Sequence, residues 1–172
     1  MDEMIKHETK LSDMVMDHWL QDDLFTWRWW LLLGAGLLAI IVFYKALDRS
    51  RKAEIMLYGF FIALLATFLD ILGWNLHLWA YPHKLLPMCT PLLPVDYVVL
   101  PIFYMLIYQR FRSWKSFFWA SVVLAFVMSF ILEPVFIWIE IYKPLAWKHV
   151  YSFPIYIANG LLGKWVIAKL TK

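Results

Sequence analysis

The sequence contains little cysteine and little charge. Cys89 is the only cysteine in 172 residues, which excludes an internal disulfide and a cysteine-rich metal site. Charged residues make up 17% of the chain, whereas about 25% is usual in soluble domains. The net charge of +3 comes from basic residues that stand between apolar runs. No basic stretch is interleaved with aromatic residues in the way that nucleic-acid binding requires, so no nucleic-acid partner is expected.

Apolar residues are abundant instead, at 63% of the chain. They form several separate runs, each long enough to cross about 30 Å of hydrocarbon. We therefore predict an all-α polytopic membrane helix bundle, located in the cell membrane and in contact with its lipids. The five spanning helices are expected at about 29–47, 53–79, 95–110, 115–138 and 152–169. The alternative is a soluble helical bundle with an unusually large core, which agrees less well with this composition.

The N-terminal arm, residues 1–27, is acidic and polar. Leu11, Met14, Val15 and Trp19 would share one face of a helix in it, which predicts a helix lying on the membrane surface. A frayed arm in solvent is the alternative. The chain is thus expected to divide into this arm and a five-helix transmembrane domain over 28–172.

The distribution of Lys and Arg predicts the orientation. Ten of the 16 lie in the first and third connections and the C-terminal tail, and six lie in the N-terminal arm and the other two connections. The positive-inside rule then places the N-terminus outside and the C-terminus in the cytoplasm.

The sequence also contains a weak internal repeat. Asp70 and Glu133 each stand near the outer end of a predicted helix, and each is followed by an aromatic, proline-containing loop and then by a helix with proline in its first turns. This order predicts two pseudo-repeated helical hairpins, with the first spanning helix as an addition.

Three acids within or beside these helices are the candidate catalytic residues: Asp70, Asp96 and Glu133. A charge inside a bilayer is costly and marks a candidate functional site. The rise per residue puts all three in the outer half of the bundle. Each also has a structural alternative: Asp70 could pair locally, Asp96 could cap a helix, and Glu133 could serve the kink at Pro134.

Aromatic and polar residues near these acids are expected to complete a ligand pocket between the helices. The predicted ligand-binding residues are Trp74, His77, Trp79, Tyr81, Tyr104, Trp138, Tyr156 and Asn159. No metal or other cofactor is expected, because His77, His83 and His149 lack the close spacing of metal ligands.

Two chemistries suit this set of residues. If Asp70 and Glu133 face each other, one can stay protonated and act as a general acid toward an alkene, while aromatic faces stabilise a carbocation. The same pair could instead carry a proton or cation across part of the bilayer.

Seven short segments together resemble a family of small five-helix hypothetical membrane proteins of spore-forming firmicutes. The resemblance covers nearly the whole chain and implies a five-helix fold without supplying a reaction. The segments are WRWW (27–30), Asp70-x-x-Gly73, LWAYP (78–82), PVDY (94–97), LPIFYMLIYQ (100–109), LEP (132–134) and WKHVYSF (147–153).

Asp70, Trp79 and Tyr81, followed by Pro94-x-Asp96, are more distantly similar to the lycopene cyclase domain of heterodimeric and fused carotenoid cyclases. In that family an acid, a Trp-x-Tyr segment and a Pro-x-Glu-Glu motif recur in each repeat. Asp96 matches the first acid of the last motif, and a tyrosine follows it where the second acid would stand. In the second unit, the segment 154–156 replaces the acids with Pro-Ile-Tyr. The resemblance implies a shared fold.

The expected function is binding, with a further option of acid-catalysed conversion, of an isoprenoid or lipid-like molecule. If the chain is an enzyme, it would be a carboxylate-dependent, metal-free cyclase or isomerase. The alternative is a non-enzymatic membrane component, either a small proton-coupled transport unit or a subunit of an envelope complex. Stripes of small residues, such as Gly59 and Ala63 on one helix and Ser121 and Ala125 on another, also allow a homodimer.

Overall fold

A computed structural model describes residues 1–88 and 90–171. The expected all-α fold is confirmed, with helices over most of this part of the chain and one short pair of strands. The helices are α1 (Asp2–His18), α2 (Trp27–Ala46), α3 (Lys52–Asn75), α4 (Leu100–Arg110), α5 (Trp114–Val127), α6 (Glu133–Trp138) and α7 (His149–Leu170). Strand β1 (Trp79–Ala80) pairs antiparallel with β2 (Lys143–Pro144). Cys89 and Lys172 lie outside the described residues.

Three helices among the described residues are long and apolar enough to cross a membrane, which makes this a membrane-embedded chain. They span Trp27–Ala46, Arg49–Asn75 and Trp114–Trp138. The last of them joins α5 to α6 through a π-helical turn, Met128–Leu132. Their outward faces expose large apolar side chains such as Leu38, Phe60 and Val123, which suits a hydrocarbon environment better than water. Five crossings remain a prediction, because α4 is short and α7 carries polar residues.

The core of the bundle lies where α3 packs against α4 and α7, and α7 against α5. Tyr58 and Tyr108 stack there with ring centroids 4.2 Å apart, and Phe117 meets both edge-on. Gly163 of α7 allows this close approach, since a Cβ at that position would lie 2.9 Å from the Tyr58 ring. A small residue at a helix contact is the usual way to bring backbones together in lipid.

Helix α3 ends at Asn75, earlier than the predicted end at about 79. His77 takes a left-handed conformation with φ 56°, and the N–H of Leu78 donates back to the carbonyl of Gly73 at 2.9 Å. This turn closes the helix and directs the chain into β1.

Helix α6 ends in the same way. Glu140 has φ 62°, and the N–H of Ile141 donates to the carbonyl of Phe136 at 2.9 Å. The step from His77 to Glu140 equals the step from Asp70 to Glu133 and the step from Asp96 to Asn159. The two helix ends therefore repeat in backbone geometry as well as in residue order.

The N-terminal arm is helical and contacts the first loop (residues 76–94). A π-helical turn over Trp19–Asp23 follows α1, and the indole N–H groups of Trp19 and Trp29 both donate to the carbonyl of Leu85, at 3.1 and 3.0 Å. Residues of the predicted apolar stripe, including Leu11 and Met14, line a groove against this loop. Whether α1 also lies on a membrane surface stays a prediction.

Candidate functional site

A cavity of about 390 Å³ lies among α3, α6, α7 and the π-helical turn Val95–Val99 that precedes α4. Most of its wall is aliphatic, and a smaller set of polar and aromatic side chains also lines it. Those groups are Asp70, Trp79, Tyr81, Asp96, Glu133, Phe136, Tyr142, Trp147, Ser152, Tyr156 and Asn159.

Asp70 is held by its own loop. Its Oδ1 accepts from the indole N–H of Trp79 at 2.8 Å and from the hydroxyl of Tyr81, and its Oδ2 accepts from the N–H of Leu92 at 3.3 Å. Alternate residues of an extended segment point to the same side, so β1 and the residue after it bring Trp79 and Tyr81 to one carboxylate. With three donors and 5% exposure, Asp70 ties α3 to the first loop.

Gly73 makes room for the Trp79 indole. It lies one turn after Asp70, and a Cβ added there would sit 2.0 Å from the Trp79 ring. No side chain fits in that space, so the glycine allows the indole to lie against the helix and reach the carboxylate.

Asp96 is buried at 7% exposure, and its Oδ2 has no hydrogen-bond partner among the described residues. Its carboxyl group lies beside that of Asp70. Two carboxyl groups can share a hydrogen bond only if one of them carries a proton. Asp96 is not a helix cap, because Pro94 holds the N-cap position and no side chain bonds there.

Glu133 opens α6 and contacts α7 rather than its own helix. Its Oε1 accepts from the Tyr156 hydroxyl at 3.2 Å, and its Oε2 lies 3.1 Å from His149 Nδ1. These bonds join two helices across the cavity, which goes beyond a local role at the kink before Pro134.

Aromatic rings from both loops close one end of the cavity. The second loop comprises residues 139–148, and its Trp147 meets Trp79 edge-to-face at 5.1 Å between ring centroids. The Trp147 indole donates to Ser152 Oγ at 2.8 Å. Burial, followed by the nearby Glu133 and Asp70 carboxyls, raises the pKa of Tyr142. Its hydroxyl therefore stays protonated and remains a donor at neutral pH.

The structure brings seven of the predicted site residues to one cavity. All three candidate acids line it, and so do four of the predicted ligand-binding residues. These seven are Asp70, Asp96, Glu133, Trp79, Tyr81, Tyr156 and Asn159.

Four predicted residues lie elsewhere. Trp138 is 82% exposed, because five residues after Glu133 a helix presents its opposite side. His77 is exposed in the left-handed turn, where helical spacing from Asp70 no longer applies. Tyr104 is part of the core and donates to the carbonyl of Tyr156 at 2.6 Å. Trp74 is half-buried outside the lining.

Among the polar and aromatic lining residues, four were not predicted as site residues: Phe136, Tyr142, Trp147 and Ser152. The internal repeat contained the signal, since Tyr142 stands in the second unit where Trp79 stands in the first. Applying the repeat residue by residue would have placed Tyr142 in the pocket.

Comparisons of the chain with protein-family models, with curated proteins and with solved structures find no match. The fold and the cavity define the class: an all-α, membrane-embedded protein with three acids at an apolar cavity.

Proposed function

We propose that the chain crosses the membrane five times, with its N-terminus outside and its C-terminus in the cytoplasm. Three helices have the length and hydropathy of membrane spans. Helix α7 has 22 residues and is about 33 Å long at the usual rise, and it packs along α3 and α5. The excess of Lys and Arg in the first and third connections supports this orientation. The cavity then opens in the outer half of the bilayer.

We propose that this cavity binds an isoprenoid or lipid-like molecule with a hydrogen-bond donor at one end. The observation that carries the proposal is the buried Oδ2 of Asp96 in a largely apolar cavity, which finds no hydrogen-bond partner in the part of the chain that the structure describes. An unsatisfied buried acceptor costs about 1–3 kcal/mol, and a ligand hydroxyl would remove that cost. The aliphatic wall suits the hydrocarbon part of the same molecule.

The exposed rim of the cavity supports entry from the bilayer. Leu72 and Leu76 line this rim. Leu76 directly follows the last residue of α3 and is 59% exposed. In a membrane those side chains would touch lipid tails. A hydrophobic ligand would then reach Asp96 without passing through water.

We further propose that the carboxyl groups act on a bound alkene. One carboxyl donates a proton to a double-bond carbon, and a neighbouring carboxylate removes a proton from an adjacent carbon. The ligand is isomerised or cyclised with no net change in composition and no cofactor. The faces of Trp79, Tyr142 and Trp147 would stabilise the intermediate carbocation. The similarity to the lycopene cyclase domain agrees with this chemistry.

A second candidate, proton-coupled transport, is favoured by a different observation. The buried hydroxyls of Thr67, Ser121 and Ser129 have no partner among the described residues. Thr67 and Ser129 lie one turn below Asp70 and Glu133, toward the proposed cytoplasmic side. Water between such hydroxyls could extend a proton path from the cavity.

Ligand binding tests the proposal directly. Geranylgeraniol offers a hydroxyl donor, whereas its methyl ether replaces the hydroxyl hydrogen with a methyl group. Quenching of tryptophan fluorescence in detergent would report the affinity of each. We expect the wild type to prefer the alcohol by at least about tenfold, and Asp96→Leu to lose that preference. Asp13→Leu, on the exposed face of α1, is the control and should keep it.

Equal binding of both probes to wild-type protein would contradict the proposed ligand class. A proton flux into vesicles that Thr67→Val and Ser129→Ala abolish would favour the transport unit instead. Product analysis after incubation with the alcohol separates simple binding from conversion.

A further inference from the structure

Three potential metal ligands meet where the N-terminal arm contacts the first loop. His18 ends α1, Asp23 ends the π-helical turn that follows, and His83 lies in the first loop. One ligand atom from each lies within 4.8 Å of the other two. Asp23 is almost completely buried, His83 is largely buried, and His18 is partly exposed.

The π-helical turn explains how the two residues from the arm come together. In an α-helix, side chains five residues apart point to different sides. A π-helical turn bonds residue i to residue i+5 and so brings them to the same side. The bond from the N–H of Leu24 to the carbonyl of Trp19 has this spacing, and it lets His18 and Asp23 face the first loop together.

Neighbouring groups already orient these ligands. Asp22 Oδ2 lies 2.9 Å from His18 Nδ1, in the carboxylate–histidine arrangement common at metal sites. His18 Nε2 lies 3.1 Å from the carbonyl oxygen of Pro82, and binding an ion through Nε2 would replace that contact. Asp23 Oδ2 accepts from the N–H of Lys84 at 3.2 Å, and Oδ1 lies 2.6 Å from His83 Nδ1.

We propose that His18, Asp23 and His83 bind a divalent transition-metal ion of the zinc type, with water as a fourth ligand. Two imidazoles and one carboxylate form a donor set that Zn²⁺ accepts. Ligand atoms around a tetrahedral zinc are about 3.3 Å apart, so small side-chain rotations from the present positions are sufficient. The buried Asp23 carboxylate offers the ion a negative charge in a low-dielectric setting.

The ion would fix the arm to the loop. No residue of α1 is buried, so the contacts around Trp19 and the three-ligand cluster supply most of its attachment. The loop also carries Tyr81, which donates to Asp70. The metal therefore lies outside the cavity, in contrast to the expected absence of any metal, and is linked to it through one loop.

Zinc titration of the chelator-treated full chain in detergent tests the site. We expect one Zn²⁺ per chain, with affinity at least about tenfold weaker in His83→Ala and in His18→Ala, since even outer-shell partners contribute that much. His18→Ala keeps the Asp23–His83 pair, so it reports on the site even if His83→Ala misfolds. His7→Ala, in the same helix, is the matched control and should bind like wild type.

Protease protection gives a second readout. Trypsin cleavage after Lys10 should slow when Zn²⁺ is added to the wild type and to His7→Ala, and should not change in His18→Ala. Absence of zinc binding in the wild type would overturn the proposal. So would an affinity that neither cluster variant lowers, or one that His7→Ala lowers as much.

Discussion

The two repeated units of the bundle hold their acids in different ways. Asp70 in the first unit accepts three hydrogen bonds, all from its own loop. Glu133 in the second unit is held from α7 instead, by the Tyr156 hydroxyl at 3.2 Å and by His149 Nδ1 at 3.1 Å. Asp96 of the first unit and Asn159 of the second are separated by the same step as Asp70 and Glu133. At this matched position the first unit therefore carries an acid and the second an amide.

Within the first unit, Asp70 and Asp96 differ in the same way. Asp70 has a structural role, whereas Asp96 is the acid that we propose contacts a ligand. The carboxylate of Asp70 has no need of a further donor. The carboxyl of Asp96 is equally buried and leaves one oxygen without a partner among the described residues. The first unit thus contains one acid whose hydrogen bonds are satisfied and one that we propose binds the ligand. The following changes test that division.

Asp70→Ala should have the largest effect on stability. It leaves the donors of Trp79, Tyr81 and Leu92 without their acceptor, and we expect a loss of about 3 kcal/mol in the free energy of unfolding. Glu133→Ala should cost less, about 1 kcal/mol. Denaturant unfolding in detergent measures both. Equal losses of unfolding free energy would mean that Asp70 and Glu133 contribute equally to stability, which would contradict the difference between the two units.

Gly73→Ala should be next, at about 2 kcal/mol, because the new methyl group would overlap the Trp79 ring and displace it from Asp70. The control is Gly34→Ala in α2, where a Cβ meets nothing within 4 Å and the helix should be unchanged or slightly stabilised. The near-ultraviolet circular dichroism of tryptophan should change in the first variant only. An unchanged spectrum there would show that the indole can move at no cost.

Coupling between Glu133 and His149 should be smaller, about 0.5–1 kcal/mol, since the histidine is partly exposed and such pairs contribute little. A double-mutant cycle with Glu133→Gln and His149→Ala measures it. A coupling above about 3 kcal/mol, as expected for a buried pair, would place the second unit's acid in the same class as Asp70.

Asp96→Asn should change stability least, by about 0.5 kcal/mol or less. Oδ2 has no hydrogen-bond partner among the described residues, and the amide N–H of Asn can replace the carboxyl proton shared with Asp70. Thermal unfolding in detergent provides the comparison with Asp70→Asn. A large loss for Asp96→Asn would show that its carboxyl group already has a structural partner.

The sequence predicted the acids of the cavity well because helical spacing and depth are properties of regular helices. Asp70, Asp96 and Glu133 needed only a rise per residue and an orientation to be brought together. The repeat was predicted less exactly: it set Pro94-x-Asp96 against the segment 154–156, whereas the step shared by the two helix ends matches Asp96 to Asn159.

Residues near the helix ends were harder to predict, because the ends are set by backbone conformation. Glycine is the usual residue in a left-handed turn, and neither His77 nor Glu140 gives so strong a signal of one. The prediction therefore extended α3 past Asn75 and kept His77 on its face. The meeting of His18, Asp23 and His83 depended in the same way on a π-helical turn.

The most direct test of the central claim is a map of the cavity in protein purified with native lipids. We predict elongated density along the aliphatic wall, with a polar end within about 3.2 Å of Asp96 Oδ2, and its loss in Asp96→Leu. A dry, collapsed cavity in the wild type, or density that Asp96→Leu leaves unchanged, would contradict the account.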